Sequence, residues 1–445
     1  MILLRWIGCQ RFIYNAKVSE DRYFRKFAAK FGGENPVDQE YSRFIGAESQ
    51  WLREVPSQVL RNGAAKWRQA YQRFYKRLGG RPTIHKKNGK QSVWLTSELF
   101  RFENGRLLIG TNKCPVGEVH FKAHREYTVP KSIHVSVEAG RWFVSFSTES
   151  KEPEYSDAEI ASWLQTFTPE ELAEHTLGLD RGVVTPIAVS DGRNFDFKPV
   201  EKKRIRKRAK TTKRLQRKLA KKTNKAGKRR ARLRARIAVL HRKTADLRRD
   251  FAHQTSRKLA NDENTVLYVV EDLKINNMTR SAKGTKAKPG KNVKQKAGLN
   301  RSILNAAWGQ SERYLAYKAR RKHKLVIKVT PYRSSQECAV CGHCSADNRI
   351  SQSVFICQAC GHFDNADTNA GGTLANRGVE LIVSGNWSPK EVKRTSIRKV
   401  RCERPEPELI TPTPGDEGVG RSVLRDAMLS SKEPGRNPDY SAFSA

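Results

Sequence analysis

The sequence predicts a multidomain α+β protein, and three observations carry that prediction. Apolar residues recur at spacings of three and four near the N-terminus, switch to a period of two from about residue 91, and later divide between short apolar strands and long charged helices. Two Cys-x-x-Cys pairs, Cys338/Cys341 and Cys357/Cys360, are separated by 15 residues. The chain has 445 residues, and at ~150 residues per domain it has room for about three.

Lys and Arg number 86 against 45 acids, a net charge of +41. Such an excess points to a polyanionic partner, because most of those cations would repel one another without one. No apolar run approaches the ~20 residues of a membrane span, so a membrane partner is not expected. Met1-Ile2-Leu3-Leu4 is interrupted by Arg5 before it could serve as a secretory core, which gives an intracellular reading. Five of the eight cysteines lie between 338 and 360, a clustering that suits a metal rather than a secreted disulfide scaffold.

Residues 1–80 are expected to be helical. Leu60, Ala64, Trp67, Tyr71, Phe74 and Leu78 form an apolar stripe, and Arg68, Lys76 and Arg77 on the other face are candidates to meet duplex backbone. Residues 81–150 form an antiparallel β module, expected to be a small barrel. There Phe100 and Phe102 are joined to Leu107 and Ile109 by Asn104-Gly105, and Ile133, Val135 and Val137 to Trp142, Val144 and Phe146 by Ala139-Gly140. Residues 149 to 175 hold eight acids and one base, Lys151, and 151–175 read as an acidic linker or surface insertion.

The segment 176–335 opens with the strand Thr176-Leu177-Gly178-Leu179-Asp180, paired as a hairpin with Pro186-Ile187-Ala188-Val189. Between 201 and 250 stand 24 Lys or Arg and three acids, over a thin stripe from Leu215 to Phe251. These residues predict a basic helical hairpin, 201–257, broken near Ala226-Gly227. Arg204, Arg206, Arg208, Arg214 and Arg217 are its candidates for contact with nucleic-acid backbone. A strand from Thr265 to Val270 ends in Glu271-Asp272. Lys- and Gly-rich residues 281–298 read as a mobile loop before a helix around Ile303, Ala307 and Tyr314, and the strand Leu325 to Val329 follows. Residues 336–362 hold the cysteine pairs, 363–385 return to the preceding domain, and 386–445, with six prolines scattered from Arg401 onward, read as a disordered tail. No internal repeat is visible.

Two Cys-x-x-Cys turns at this separation can set four thiolates around one structural Zn²⁺. His343, Cys344 and His362 lie close enough in sequence to compete as ligands. Three acids stand out by context: Asp180 and Glu271 at strand ends, and Asp367 at a helix start. Carboxylates so placed can converge on one or two Mg²⁺ ions, the hard cations of phosphodiester hydrolysis.

Four motifs occur in order: Gly178-Leu179-Asp180-Arg181-Gly182; Val269-Val270-Glu271-Asp272-Leu273; Tyr332-Arg333-Ser334-Ser335-Gln336 running into the first cysteine pair; and Asp367-Thr368-Asn369-Ala370. Together they resemble the split RuvC nuclease domain of TnpB proteins, the transposon-encoded RNA-guided DNA endonucleases from which compact type V CRISPR effectors descend. Gln10-Arg11-Phe12-Ile13-Tyr14-Asn15 and Gly298-Leu299-Asn300 are similar to the family as well, and the resemblance spans roughly residues 8 to 380. It implies an RNase H-like fold with an inserted zinc ribbon of the target-strand loading type, an N-terminal helical recognition lobe and a β-barrel wedge domain. It implies Asp180, Glu271 and Asp367 as catalytic ligands of two Mg²⁺ ions, or Mn²⁺ in their place. Guide RNA and double-stranded target DNA are the implied partners, in a prokaryotic cytoplasm and on the nucleoid when bound. A cleavage-inactive RNA-guided repressor and a transposase on the same core are the rival readings. Two departures stand out: the chain begins late relative to the family's first strand, and Ala370-Gly371-Gly372 replaces the usual run after the third motif.

Overall fold

The apolar stripes near the N-terminus build a helix pair, α1 (Ile2–Lys26) and α2 (Ser57–Tyr75), which buries Trp6, Ile7, Ile13 and Val18 against Val59, Leu60, Ala64 and Trp67. The computed structural model describes residues 2–27, 37–87, 89–103, 105–123, 126–149, 152–224, 227–285 and 287–389. Residues 390–445 of the expected tail lie outside the described residues, as do Asn104 and Ala226 of two expected turns. The described residues fall into two units, one ending at Glu149 and one following it. In the first, α2 stops at Tyr75 and Arg77 takes a left-handed φ of 56°. Leu78, expected in the stripe, is therefore past the helix and exposed.

Six strands complete this unit: β1 (Gln91–Thr96), β2 (Phe100–Glu103), β3 (Arg106–Gly110), β4 (Pro115–Val119), β5 (Ser132–Glu138) and β6 (Arg141–Ser145). They pair antiparallel as two three-stranded sheets, β1-β5-β6 and β2-β3-β4. Glu103 faces Arg106 at the tip of one hairpin, where Gly105 supplies the φ of 75° that the turn requires. Val93 and Leu95, Leu107 and Ile109, and Ile133 and Val135 alternate inward and join the helix residues in one core.

The second unit begins with a correction. Residues 151–175 are not a linker: α3 (Asp157–Leu164) and α4 (Pro169–Glu174) fold there, and Ile160, Leu164 and Leu172 are fully buried in a core shared with the central sheet. Ser156 with Glu159, and Thr168 with Glu171, form two capping boxes, so the local acids stabilise helix starts.

The sheet is built from β7 (Thr176–Asp180), β8 (Ile187–Val189), β9 (Asn194–Phe195), β10 (Leu267–Glu271) and β11 (Leu325–Val329), in the order β11-β10-β7-β8-β9. β11, β10 and β7 run parallel, while β8 returns antiparallel to β7. Between them come α5 (Pro199–Ala220), α6 (Lys228–Ala260), α7 (Ile275–Met278), α8 (Val293–Ala306) and α9 (Trp308–Arg320). The expected loop 281–298 thus yields its last third to α8, because Lys, Gln and Ala are good helix formers whatever their polarity. In α5 only Thr212 and Leu215 are buried, and in α6 only residues from Phe251 onward. The basic arm is anchored from Phe251 onward, and beyond that anchor only Thr212 and Leu215 are buried.

β12 (Val354–Ile356) and β13 (Phe363–Asn365) form a short hairpin that leads into α10 (Ala366–Val383). Tyr268 and Val270 pack on one sheet face with Leu259, Leu315 and Ala319 of α6 and α9. Leu267 and Val269 pack on the other with Leu374, Val379 and Ile382 of α10. The glycine pair noted as a departure is used here. A Cβ on Gly178 would fall inside the Gly371 carbonyl oxygen, and one on Gly371 would sit 2.9 Å from the Ser190 nitrogen. Backbone meets backbone, so Gly178→Ala is expected to destabilise this unit by about 3 kcal/mol. An unchanged denaturation midpoint would contradict this packing.

Candidate active site and metal centre

Strand parity decides which acids can meet. β7 and β10 pair in parallel with Val269 opposite Gly178 and Val270 opposite Leu179, so Asp180 and Glu271 are neighbours at the C-terminal ends of adjacent strands. Side chains alternate across a sheet. Gly178 and Val269 face α10, and therefore Asp180 and Glu271 do too. Asp367 lies in the first turn of α10, where the Asn365 side chain caps the helix by accepting from the Asp367 amide at 2.9 Å. Asp272, the residue that follows the end of β10, is one position out of phase with Glu271.

The electrostatics tie the three together. Burial, and then repulsion from Asp367, push the Asp180 carboxyl up to about 6, against the pull of Arg349 and Arg181. Burial, and then repulsion from Asp180, push Glu271 up to about 7. Arg349 Nη2 stands 3.8 Å from Asp367 Oδ1. Arg181, buried beside Asp180, donates from Nη2 to the Glu271 carbonyl and from Nη1 to Glu312 Oε2 at 2.8 Å. Glu312 also pairs with Lys328 at 2.5 Å, and Trp308 Nε1 donates to the Gly182 carbonyl at 3.1 Å. Glu312 and Trp308 were not singled out from the sequence, since nothing in their spacing connects α9 to the end of β7.

An oxygen-only donor set in which Asp180 and Glu271 resist ionisation suits a hard divalent cation, which would offset the repulsion. A stability test follows. Both folded-state pKa values lie above those of the unfolded chain, so their contribution is fully present below about pH 4 and is lost as pH rises through 6 to 7. Metal-free protein should therefore melt lower at pH 8 than Asp180→Asn, and Mg²⁺ should raise the melting temperature of the wild type at pH 8 but not at pH 5. A wild-type melting temperature indifferent to Mg²⁺ at pH 8 would contradict this account.

The cysteines are drawn more tightly. Among the described residues, Cys338, Cys341, Cys357 and Cys360 form the group of potential ligands whose atoms all lie within 4.8 Å of one another; the three carboxylates do not close to that spacing. This sulfur set could hold a structural Zn²⁺. The two halves repeat one pattern, Cys338-Ala-Val-Cys-Gly-His343 and Cys357-Gln-Ala-Cys-Gly-His362, a short internal repeat beyond the Cys-x-x-Cys pairs. In each, the first cysteine amide donates to the histidine carbonyl (3.0 and 2.9 Å), and the glycine has a φ of 73°. Both histidines thus serve the turns through their backbone.

α10 carries this ribbon. Asn369, fully buried, accepts from the Ala339 amide at 3.0 Å and donates to the Glu337 carbonyl at 2.7 Å. Thr373 and Asn376 donate to the Glu337 and Ala339 carbonyls, and Arg377 to those of Thr330 and Tyr332. Gly372 lets the Ala339 methyl approach, since a Cβ there would lie 2.8 Å from it. The helix that presents Asp367 is also the one on which the cysteine ribbon sits. Of the basic candidates, Arg68, Lys76 and Arg77 are exposed, as are Arg204, Arg206, Arg214 and Arg217, while Arg208 is half-buried and donates to the Lys243 carbonyl at 2.6 Å.

Residues 135–282 match a family model described as "Probable transposase", of the IS605 OrfB type, and residues 308–372 match the "Cas12f1-like, TNB domain". A protein of Escherichia coli K12 named "Putative RNA-guided DNA endonuclease InsQ" is 32% identical over 86% of this chain and 89% of its own. A Streptomyces pristinaespiralis protein named "Putative RNA-guided DNA endonuclease" is 26% identical over 90% and 92%. The fold is similar to that of the protein in a Cas12f1–sgRNA–target DNA complex, with a TM-score of 0.51 at 13% identity, covering 84% of this chain and 82% of that one. With a relative this similar along nearly its whole length, and with those motifs in order, the chain belongs to the TnpB family.

Proposed function

We propose that the protein is an RNA-guided DNA endonuclease with an RNase H-like RuvC site, in which Asp180, Glu271 and Asp367 hold Mg²⁺ or Mn²⁺ and the four cysteines hold Zn²⁺. The observation that supports this reading is the placement of Asp180 and Glu271 at the ends of adjacent strands, with Asp180 repelled by Asp367 at the start of α10 and Glu271 repelled by Asp180. When bound, the divalent ions supply Lewis acidity that activates water and neutralises the departing 3′ oxygen. Asp180, coupled to both other acids, stands at the centre of the donor set. Arg181 fixes the end of β10 through the Glu271 carbonyl and so sets where that carboxylate points. The basic arm, with little buried beyond its anchor, offers charge to nucleic-acid backbone but little geometry for reading bases.

The guide supplies most sequence specificity by base pairing, and the protein reads a short flanking motif. In this reading the helices before residue 80 are a recognition lobe, and the two sheets on one core are the wedge. Retention of all three acids argues against a cleavage-inactive repressor. RNA that co-purifies with the protein should be a discrete species with a constant scaffold and a variable end. That complex should cut matching duplex DNA in Mg²⁺. Random RNA fragments with no guided cutting would overturn the reading.

A further inference from the structure

The motif from Gln10 to Asn15 has no part in the chemistry above, yet its polar side chains are fixed in place. Gln10, 2% exposed, donates to the Trp94 carbonyl at 2.9 Å and accepts from the Trp94 amide at 2.8 Å, gripping β1 by both backbone groups of one residue. Arg11 Nη1 donates to Gln91 Oε1 at 2.9 Å. Asn15 accepts from the His85 amide at 2.8 Å and donates to its carbonyl at 3.0 Å, and the Tyr14 ring stacks on the His85 imidazole with centroids 4.0 Å apart. One turn and a half of α1 thus holds the start of β1 and the loop before it.

What this bracing encloses is a cleft of about 640 Å³. Arg11, Lys66, His85, Lys86, Lys90 and His134 line it, and among the described residues no acid does. Burial and then Lys90 push the Lys66 ammonium below its ordinary value, and both imidazoles are pushed down by burial and then by Lys66. These groups feel one another's charge, and an anion among them would reverse that repulsion. The volume falls in the range of small-molecule sites, ample for one nucleotide.

We propose that this cleft seats a phosphodiester group of a bound nucleic-acid strand, with Lys66 and Lys90 facing the phosphate. The inference rests on the reading that the chain binds nucleic acid; guide RNA and target DNA carry the same chemistry, and the test separates them. Salt titrations compare the wild type with Lys66→Met/Lys90→Gln, first with the co-purifying RNA and then, for the RNA-loaded protein, with target duplex. Lys66→Met keeps the buried stem, and an unchanged melting temperature checks the fold. Loss of two contacts should reduce the slope of log K against log salt by about 1.4 for a single strand or about 1.8 for duplex DNA. A fall confined to the RNA titration identifies the strand as guide, and one confined to DNA identifies it as target. Unchanged slopes in both overturn the cleft, as does an equal fall in Lys122→Gln/Lys131→Gln, exposed lysines outside it. A wild type that binds neither nucleic acid would instead overturn the broader reading.

Discussion

Alanine at Asp180, Glu271 or Asp367 is expected to reduce Mg²⁺-dependent cutting of guide-matched DNA by roughly a thousandfold or more, because each removes a ligand from a site worth several kcal/mol of transition-state stabilisation. Target binding should persist, since it rests on phosphate contacts and guide pairing that these side chains do not make. Double variants should lose little beyond the singles: once one ligand is gone, the set is already broken. Two neighbours are the controls. Asp272 is one position out of phase with Glu271, and Asp364 sits in β13 opposite Phe355, ahead of the helix that presents Asp367. Cleavage assays on the five single variants decide the matter. Full activity in any of the first three would refute the site, and a dead Asp272→Ala beside an active Glu271→Ala would move the role to the other acid.

Cys338→Ser or Cys360→Ser should release zinc and unfold the ribbon, because four thiolates close the site and, without them, the buried Asn348 side chain, which donates to the His343 carbonyl and accepts from the Gln358 amide, is left to hold the two turns. The damage should spread. Asn369 is buried against Glu337 and Ala339, so loss of the ribbon strips partners from a polar side chain one turn or less from Asp367. Cleavage should fall together with metal content, while Cys344→Ser, outside the sulfur group, should keep both. Metal analysis gives the ratio directly: one zinc per chain surviving replacement of all four cysteines would overturn the assignment.

Much of the second unit was legible because simple periodicities decide it. Alternation along Leu267 to Glu271 determines which face each residue takes, and Cys-x-x-Cys spacing brings the sulfurs together once the intervening hairpin forms. What escaped is instructive. The 151–175 stretch reads as a linker from its net charge, although Ser156-x-x-Glu159 and Thr168-x-x-Glu171 are capping boxes written in the sequence. The loop before Ile303 is shorter than its composition suggests for a similar reason: lysine content masks helix propensity from Val293 onward. Gly371 and Gly372 looked like a deviation, and only the approach of β7 on one side and Ala339 on the other explains them. The links from Arg181 to Glu312 and from Trp308 to Gly182 join residues more than a hundred positions apart, and no local pattern encodes them.

The paired acidic helices have a practical corollary. Their apolar sides are sealed into the protein, while Glu154, Glu159, Glu170, Glu171 and Glu174 remain exposed to solvent. In a chain carrying +41 overall, this is a patch from which a polyanion is repelled. A fluorophore or fused domain attached at Glu170 or Glu174 would sit where no phosphate backbone is drawn, which makes the α4 surface a rational handle for tethering cargo without blocking substrate.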